Sequence, residues 1–341
     1  MTVVEGAPLC DKACHQFYVA YKLGFALAIY HGIQSLALIG VYRESQSRSI
    51  LQNSFWLAKF ALLIGLSIGC FFIPHRLLSW LYYPAAVFSM VFLMIQAILL
   101  VDLAYAWAEA LVQSAENGSE FAKYSLFAMT FSFNFAYIMG LIWLYVYFNE
   151  NKDRILTTIN AVLAVAATVC SLLPAVQNAN PSAGIFQSSL LAIYSLFVVL
   201  SALVSDPTRP NTQITTSDNY PQLSKIVGVV SVFYSYLAIA RGAFKVGHQA
   251  HKLVPESSKI RMEEDDEEYS YSLFHVSFIL AAFYTVLFVT GWSRPAIIDN
   301  TVQLVNSTAS YWMRVTSSWG VLVLYIWSLW APVLLSEREF Y

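Results

Sequence analysis

The chain has 341 residues, 58% of them hydrophobic and only 12% charged. Soluble domains carry about 25% charged residues, so this composition describes a polytopic membrane protein. A formal net charge of −2 excludes the basic footprint of a nucleic-acid binder.

A helix needs about 20 predominantly apolar residues to cross a bilayer. Nine such runs follow one another at about 17–41, 55–73, 80–108, 124–148, 155–176, 184–204, 224–244, 270–292 and 312–335. Backbone groups in lipid must bond internally, and the runs lack the period-two alternation of barrel strands. They therefore predict helices, an all-α polytopic fold and a single transmembrane domain over 1–341. Nine Trp, 21 Tyr and 23 Phe suit membrane interfaces and helix packing.

Met1–Asp11 lacks the basic-then-apolar pattern of a cleaved leader, so the first run is expected to act as a signal-anchor. Within it, His31 and Gln34 lie three apart and share a face. They read either as a buried hydrogen-bonded pair gluing helices or as part of a proton relay. The second run begins at Phe55-Trp56 and carries Lys59.

The third run contains Gln96 and Asp102 and leads to Glu109. Seven residues advance a helix by almost two turns, so the two acids project from nearly the same side. From Trp80 to Trp107 is 28 residues, roughly 42 Å of helix against a hydrocarbon core of about 30 Å. Such a helix must tilt strongly or project beyond the membrane.

Lys and Arg in the connectors set orientation. Arg43 and Arg48 follow the first run, and Arg241, Lys245, Lys252, Lys259 and Arg261 lie in or beside the connector 245–269. Placing both in the cytosol puts the N-terminus outside and the C-terminus inside, against a smaller opposing count of Lys152, Arg154 and Arg209. Glu109 then sits at the cytosolic interface and Asp102 just inside the core. Lys59 falls at a similar depth, which allows a Lys59–Asp102 ion pair that relieves two unfavourable charges. Two readings stand: structural packing with Lys59 snorkelling to the headgroups, or a role in lipid or solute passage.

Asn160 and Ser171 in the fifth run with Gln177 at its end, and Ser188, Ser189, Tyr194, Ser195 and Ser201 in the sixth, form a candidate polar track or serve close helix packing. Pro174 marks a kink or stop. The connector 245–269 begins basic and ends in the acidic run Glu263–Glu268, a solvated segment that could serve trafficking adaptors. Tyr271-Ser272-Leu273-Phe274 fits a tyrosine-based sorting pattern or an aromatic belt. His275 at the start of the eighth run belongs to the polar set or to the interface. Asn306-Ser307-Thr308 is a glycosylation sequon on the outer side; Asn117-Gly118-Ser119 would be cytosolic and silent.

Cys70 and Cys170 lie in apolar runs as packing residues, while Cys10 and Cys14 can pair if their end is luminal. His248 and His251 are weak as metal ligands. No Walker loop, nucleophile elbow or zinc-helix motif occurs, so neither catalysis, a cofactor nor a metal is expected.

Several segments together resemble the serine incorporator (SERINC, or TMS) family. They are Gln52-Asn53-Ser54-Phe55-Trp56-Leu57-Ala58-Lys59-Phe60, Gly69 to Pro74, and Ile95-Gln96 through Asp102 with Trp107 and Glu109. Further on come Leu172-Leu173-Pro174, Gln187-Ser188-Ser189, Tyr269 to His275, Trp292, Ser317-Ser318-Trp319, Leu324 to Trp327 and Ala331-Pro332. The resemblance implies ten spans in two subdomains braced by a long crossing helix, the nine runs here corresponding to the second to tenth. The family's first span and Cys-rich leader are expected to be missing. His31, Gln34 and Ala175 depart from the residues usual in the family. By resemblance, the expected activity is redistribution of phospholipids such as phosphatidylserine between leaflets. The alternative is a serine carrier or scaffold for phosphatidylserine and sphingolipid synthesis. The expected setting is the plasma membrane or the ER, Golgi or endosomal membranes, with a homo-oligomer left open.

Overall fold

In the computed structural model, the described residues are 9–10, 12–42, 47–204, 206–208, 270–298 and 301–334. Their elements in chain order are β1 (Leu9–Cys10), α1 (Lys12–Ala37), α2 (Ile50–Asn53), α3 (Trp56–Phe71), α4 (His75–Trp80), α5 (Tyr82–Glu116) and α6 (Glu120–Tyr147). There follow α7 (Asn151–Leu172), α8 (Pro174–Ala179), α9 (Ile185–Val204), α10 (Tyr271–Val289), β2 (Ser293–Ile298), β3 (Thr301–Asn306) and α11 (Thr308–Leu334). This is an all-α multi-pass membrane protein. Among the described residues, α6, α7, α9, α10, α11 and the stretch Leu77–Glu116 are long and apolar enough to span a bilayer. The expected seventh run, 224–244, and the connector 245–269 lie outside the described residues, as do most of 205–223.

Four differences from the sequence-based expectation have local causes. The third span is longer than 80–108: α5 alone runs 35 residues to Glu116, about 52 Å, because nothing before Gly118 breaks it. The second span is not one straight helix. Ser47–Asn53 and Trp56–Phe71 meet at a 65° bend and count as a seventh candidate span only if taken together. The break sits at Phe55, held left-handed at φ 61° and ψ 32°, a conformation that costs a non-glycine residue about 1–2 kcal/mol. The 26-residue α1 is long enough to span but is not among the six, since Lys22, His31 and Gln34 dilute its apolar face. Finally, the connector after α10 holds a small sheet in the order β1-β3-β2. β2 pairs antiparallel with β3, Ser293 opposite Asn306 and Ile298 opposite Thr301, and β1 adds in parallel.

Helix ends follow local chemistry. α5 stops in a Schellman turn: Ser119 N–H donates to Ser114 O at 3.0 Å and Gly118 N–H to Ala115 O at 3.0 Å. That geometry puts Gly118 at φ +91°, where glycine avoids the Cβ clash. Ser119 then caps α6 by accepting from Ala122 N–H, and Ser270 caps α10 by accepting from Leu273 N–H. Pro174 occupies the first turn of α8, where its missing N–H costs nothing, so it ends α7 as expected.

The chain clusters into two compact units, Met1–Phe92 with Arg209–Ser307, and Leu93–Thr208 with Thr308–Tyr341. In the first, α1 packs along α10 and against α3, and the start of α5 joins through the Phe88–Phe283 and Phe92–Tyr284 ring contacts. In the second, α7, α9 and α11 form the core and α6 lies on α9. The buried stripe of α7, Asp153, Thr157, Asn160, Ala164, Ala167 and Ser171, recurs every three or four residues, as one helical face must.

Candidate functional site

A groove of about 630 Å³ opens in the second unit. One wall is the last two turns of α5. Ala108, Glu109, Val112, Gln113 and Glu116 fall there at spacings of three and four and so share a face. The Schellman turn sends the chain back as α6, whose Leu126, Phe127 and Thr130 supply the facing wall. The floor is Pro181 to Gln187, the loop into α9 and its first turn. A helix N-terminus carries about half a positive charge, so the groove is lined both by two acidic residues and by a positive dipole end.

Side-chain hydrogen bonds hold that floor. Gln177 Nε2 donates to Ser171 O at 2.6 Å and to Ala183 O at 2.7 Å. Gln187 Nε2 donates to Ser182 O at 2.5 Å, and Tyr325 O–H donates to Gly184 O at 3.3 Å. Gln177 thus acts as a brace for the loop.

The expected polar track is divided by the fold. Ser188 and Ser189 donate to Ile185 O within their own helix, and Ser189 also accepts from Asn134 Nδ2 at 2.6 Å. Ser195 donates to Ala192 O and, at 3.5 Å, to Asn160 Oδ1. Ser201 accepts from Arg314 Nη1 at 3.0 Å, and Tyr194 is half-buried. Ser189, Ser195 and Ser201 thus tie α9 to neighbouring helices, Ser189 and Ser195 from buried positions and Ser201 from a half-buried one. Gln96 is 1% exposed on α5. Cys70 is buried, Cys170 is half-buried, and neither is in a disulfide, in keeping with packing roles. The side chains of Cys10 and Cys14 lie outside the described set.

A polar cluster links α7, the residues after α9, and α11. Lys152 pairs with Asp206 and hydrogen-bonds Thr208 at 2.9 Å, and its ammonium lies 5.2 Å from the Tyr311 ring. Arg314, also buried, bonds Ser201 O at 2.6 Å. Burial alone pushes the Asp206 carboxyl up, but hydrogen bonds from Lys152 and Thr208 outweigh it and hold it below the usual carboxylate range.

In the first unit, His275 meets His31, Nδ1 to Nδ1 at 2.9 Å. Its Nε2 reaches Gln52 Oε1 at 2.8 Å. Lys59 Nζ donates to Gln52 O at 2.6 Å and lies 4.5 Å from the Trp56 ring. Next to this joint, Ser35 and Ser272 exchange hydrogen bonds, hydroxyl to hydroxyl at 3.0 Å. Lys59 is therefore engaged within its own unit, and Asp102 and Glu109 belong to the other. Asn306 ends β3; its side chain is outside the described set.

At the opposite end of α1, His75 stacks on Tyr18 at 4.2 Å. Burial, then the charges of Lys22 and His15, hold its imidazole below the usual histidine range.

The family model described as Serine incorporator (Serinc) matches residues 3–252 and 241–338. The chain belongs to the serine incorporator family. Among similar proteins, serine incorporator 2 of Mus musculus is 29% identical over 374 residues, covering 99% of this chain and 82% of the relative. Serine incorporator 2 of Homo sapiens is 27% identical, covering 99% and 82%, and a probable serine incorporator of Nematostella vectensis 29%, covering 97% and 82%. Of the residues carrying the serine incorporator resemblance, Glu109 and Gln187 line the groove, and Gln52, Lys59 and His275 build the joint.

Sequence reasoning missed Gln113 and Glu116, although a helix continued past Glu109 puts Glu116 seven residues on and on the same face. It missed Gln52 as a partner for His275 because no local pattern announces a bond across 223 residues. Asn134 and Arg314 were missed for the same reason.

Proposed function

We propose that this chain is a non-catalytic lipid-handling protein that passes phospholipid headgroups, those of phosphatidylserine included, between bilayer leaflets. The groove beside Glu109 carries this reading. A headgroup needs a polar path while its acyl tails stay in lipid. Glu109, Gln113, Glu116, Thr130 and Gln187 furnish polar groups along such a path. Its α6 wall leads onto an exposed apolar face, with Phe127 65% and Phe131 71% exposed, a surface suited to tails. The two carboxylates match the ammonium of an amino headgroup.

The test is purified full-length protein in liposomes holding fluorescent phosphatidylserine, with a membrane-impermeant quencher and no ATP. Quenching should rise from about half to nearly all of the label, and Glu109→Gln with Glu116→Gln should slow it several-fold. Quenching equal to that of empty liposomes overturns the reading.

A second reading, free-serine delivery to lipid synthesis, draws on the same carboxylates and on the name serine incorporator carried by the relatives. Saturable serine uptake in the same liposomes, without lipid movement, would select it. We also propose Asn306 as a glycan site facing outward, in a plasma-membrane or endomembrane protein. Asn306→Gln should abolish any glycosidase-sensitive mass shift in cells.

A further inference from the structure

We infer that His31 and His275 form a latch, built for one shared proton, that ties the α2–α3 elbow to α1 and α10, and that acidification releases the elbow. The inference starts from two ring nitrogens 2.9 Å apart. A contact of that length between Nδ1 atoms requires one N–H and one bare nitrogen. Gln52 Oε1 can only accept, so His275 Nε2, 2.8 Å away, carries the hydrogen. Neutral His275 is then bare at Nδ1 and accepts from His31 Nδ1–H. The tautomers of both rings are thus set, and His31 is left bare at Nε2.

Protonation acts on this arrangement in two steps. A first added proton enters at His31 Nε2 and leaves the Nδ1 contact intact. A second has only His275 Nδ1, the acceptor, and puts two N–H groups face to face. The latch breaks there, and His275 must turn away from Gln52 or from His31.

The surroundings oppose positive charge. The other titratable groups at the joint among the described residues are Tyr30, edge-on to His31 at 5.0 Å, Tyr271 at the start of α10, and Arg48 and Lys59 around the elbow. Lys59 holds the backbone carbonyl of the same Gln52 that His275 holds by its side chain. The described parts of α1, α2, α3 and α10 contain no Asp or Glu, so no carboxylate on them balances a charged pair. Phe278 stacks on His31 at 4.8 Å, adding an apolar neighbour that does not solvate a charge. The neutral latch is therefore the resting form.

Apart from the latch, the elbow is tied to α1 by the packing of α3 and by Arg48, which donates to Ile39 O. Ile50, Leu51, Phe55, Trp56 and Leu57 are all exposed, and Phe55 is held left-handed. By contrast, α1 and α10 keep their mutual packing and the Ser35–Ser272 bonds whatever the histidines do. Release therefore frees residues 47–60 and leaves α1 on α10.

The experiment uses the full chain in lipid nanodiscs between pH 8 and pH 4.5. Hydrogen exchange across residues 47–60, corrected for the intrinsic pH dependence, should lose protection as pH falls, by up to tenfold per pH unit for each of the two linked protons. Peptides from α11 should keep theirs. In His275→Gln, whose amide cannot titrate, the acid-dependent loss should disappear. Nitrogen NMR of histidine-labelled wild type supplies a readout that needs no variant. It should show His31 protonated at Nδ1 and His275 at Nε2 at pH 8, with His275 Nδ1 last to take a proton. A pH-independent elbow, an unchanged acid response in His275→Gln, or both Nδ1 atoms protonated while the elbow stays protected would each overturn the latch.

Discussion

A Cβ placed on Gly24 would stand 1.9 Å from Val286 Cγ2 and 3.7 Å from Ala282 O. Helices α1 and α10 therefore approach until no methyl group fits between them, the small-residue contact that membrane helices use where the hydrophobic effect offers no drive. Gly24→Ala should force the pair apart and cost about 1–3 kcal/mol. A lower thermal unfolding midpoint in detergent, with Gly32→Ala as control since that position faces open space, checks it.

Thr130 lies across the groove from the acidic face of α5. Thr130→Trp should fill the groove and slow lipid movement several-fold while the protein stays monodisperse. Val323→Trp, on an exposed face of α11, should leave it unchanged. Parallel quenching traces from the two variants provide the comparison.

The Lys152–Asp206 pair sets a pH dependence. The Asp206 carboxyl is held below its ordinary value, so the fold favours the ionised form. Its contribution is complete above the unfolded value near 3.9 and is lost as pH falls through the lower folded value. Lys152→Met should cost about 1 kcal/mol near neutrality, since Lys152 is partly open to solvent and screened. The gap from wild type should close below about pH 4. Unfolding midpoints of both proteins from pH 3 to pH 7 measure this.

Lys59→Ala should loosen the elbow by removing the cap on Gln52 O, read as faster hydrogen exchange over residues 47–60. Asp102→Ala should impair lipid movement if the intramembrane acid serves it. A Lys59→Asp with Asp102→Lys exchange separates two roles: partial recovery of activity supports the ion pair, whereas a loose elbow without recovery assigns Lys59 to Gln52 and Trp56.

Span positions were legible because apolar length is local information. Seven of the nine expected runs coincide with α3, α5, α6, α7, α9, α10 and α11 to within a few residues, except that α5 outruns its expected end. Pro174 was legible because a missing N–H has one consequence wherever it occurs. The bend at Phe55 was not, because an aromatic residue in a left-handed conformation reflects tertiary support and has no composition of its own. The β2–β3 hairpin was obscured by its place in a short connector between two strong helical runs.

By itself, the sequence determined that this is a multi-pass helical membrane protein of the serine incorporator type, and it singled out Glu109, Lys59, His31 and His275 as polar positions in or beside apolar runs. Burying an ionisable or polar group in lipid demands a reason wherever the chain folds. Only the tertiary structure decided what each one meets. Glu109 joins Glu116 over a groove, His31 takes His275 in place of its neighbour Gln34 as ring partner, and Lys59 turns to Gln52. Partners 223 and 244 residues apart are chosen by helix packing, which leaves no periodic trace along the chain.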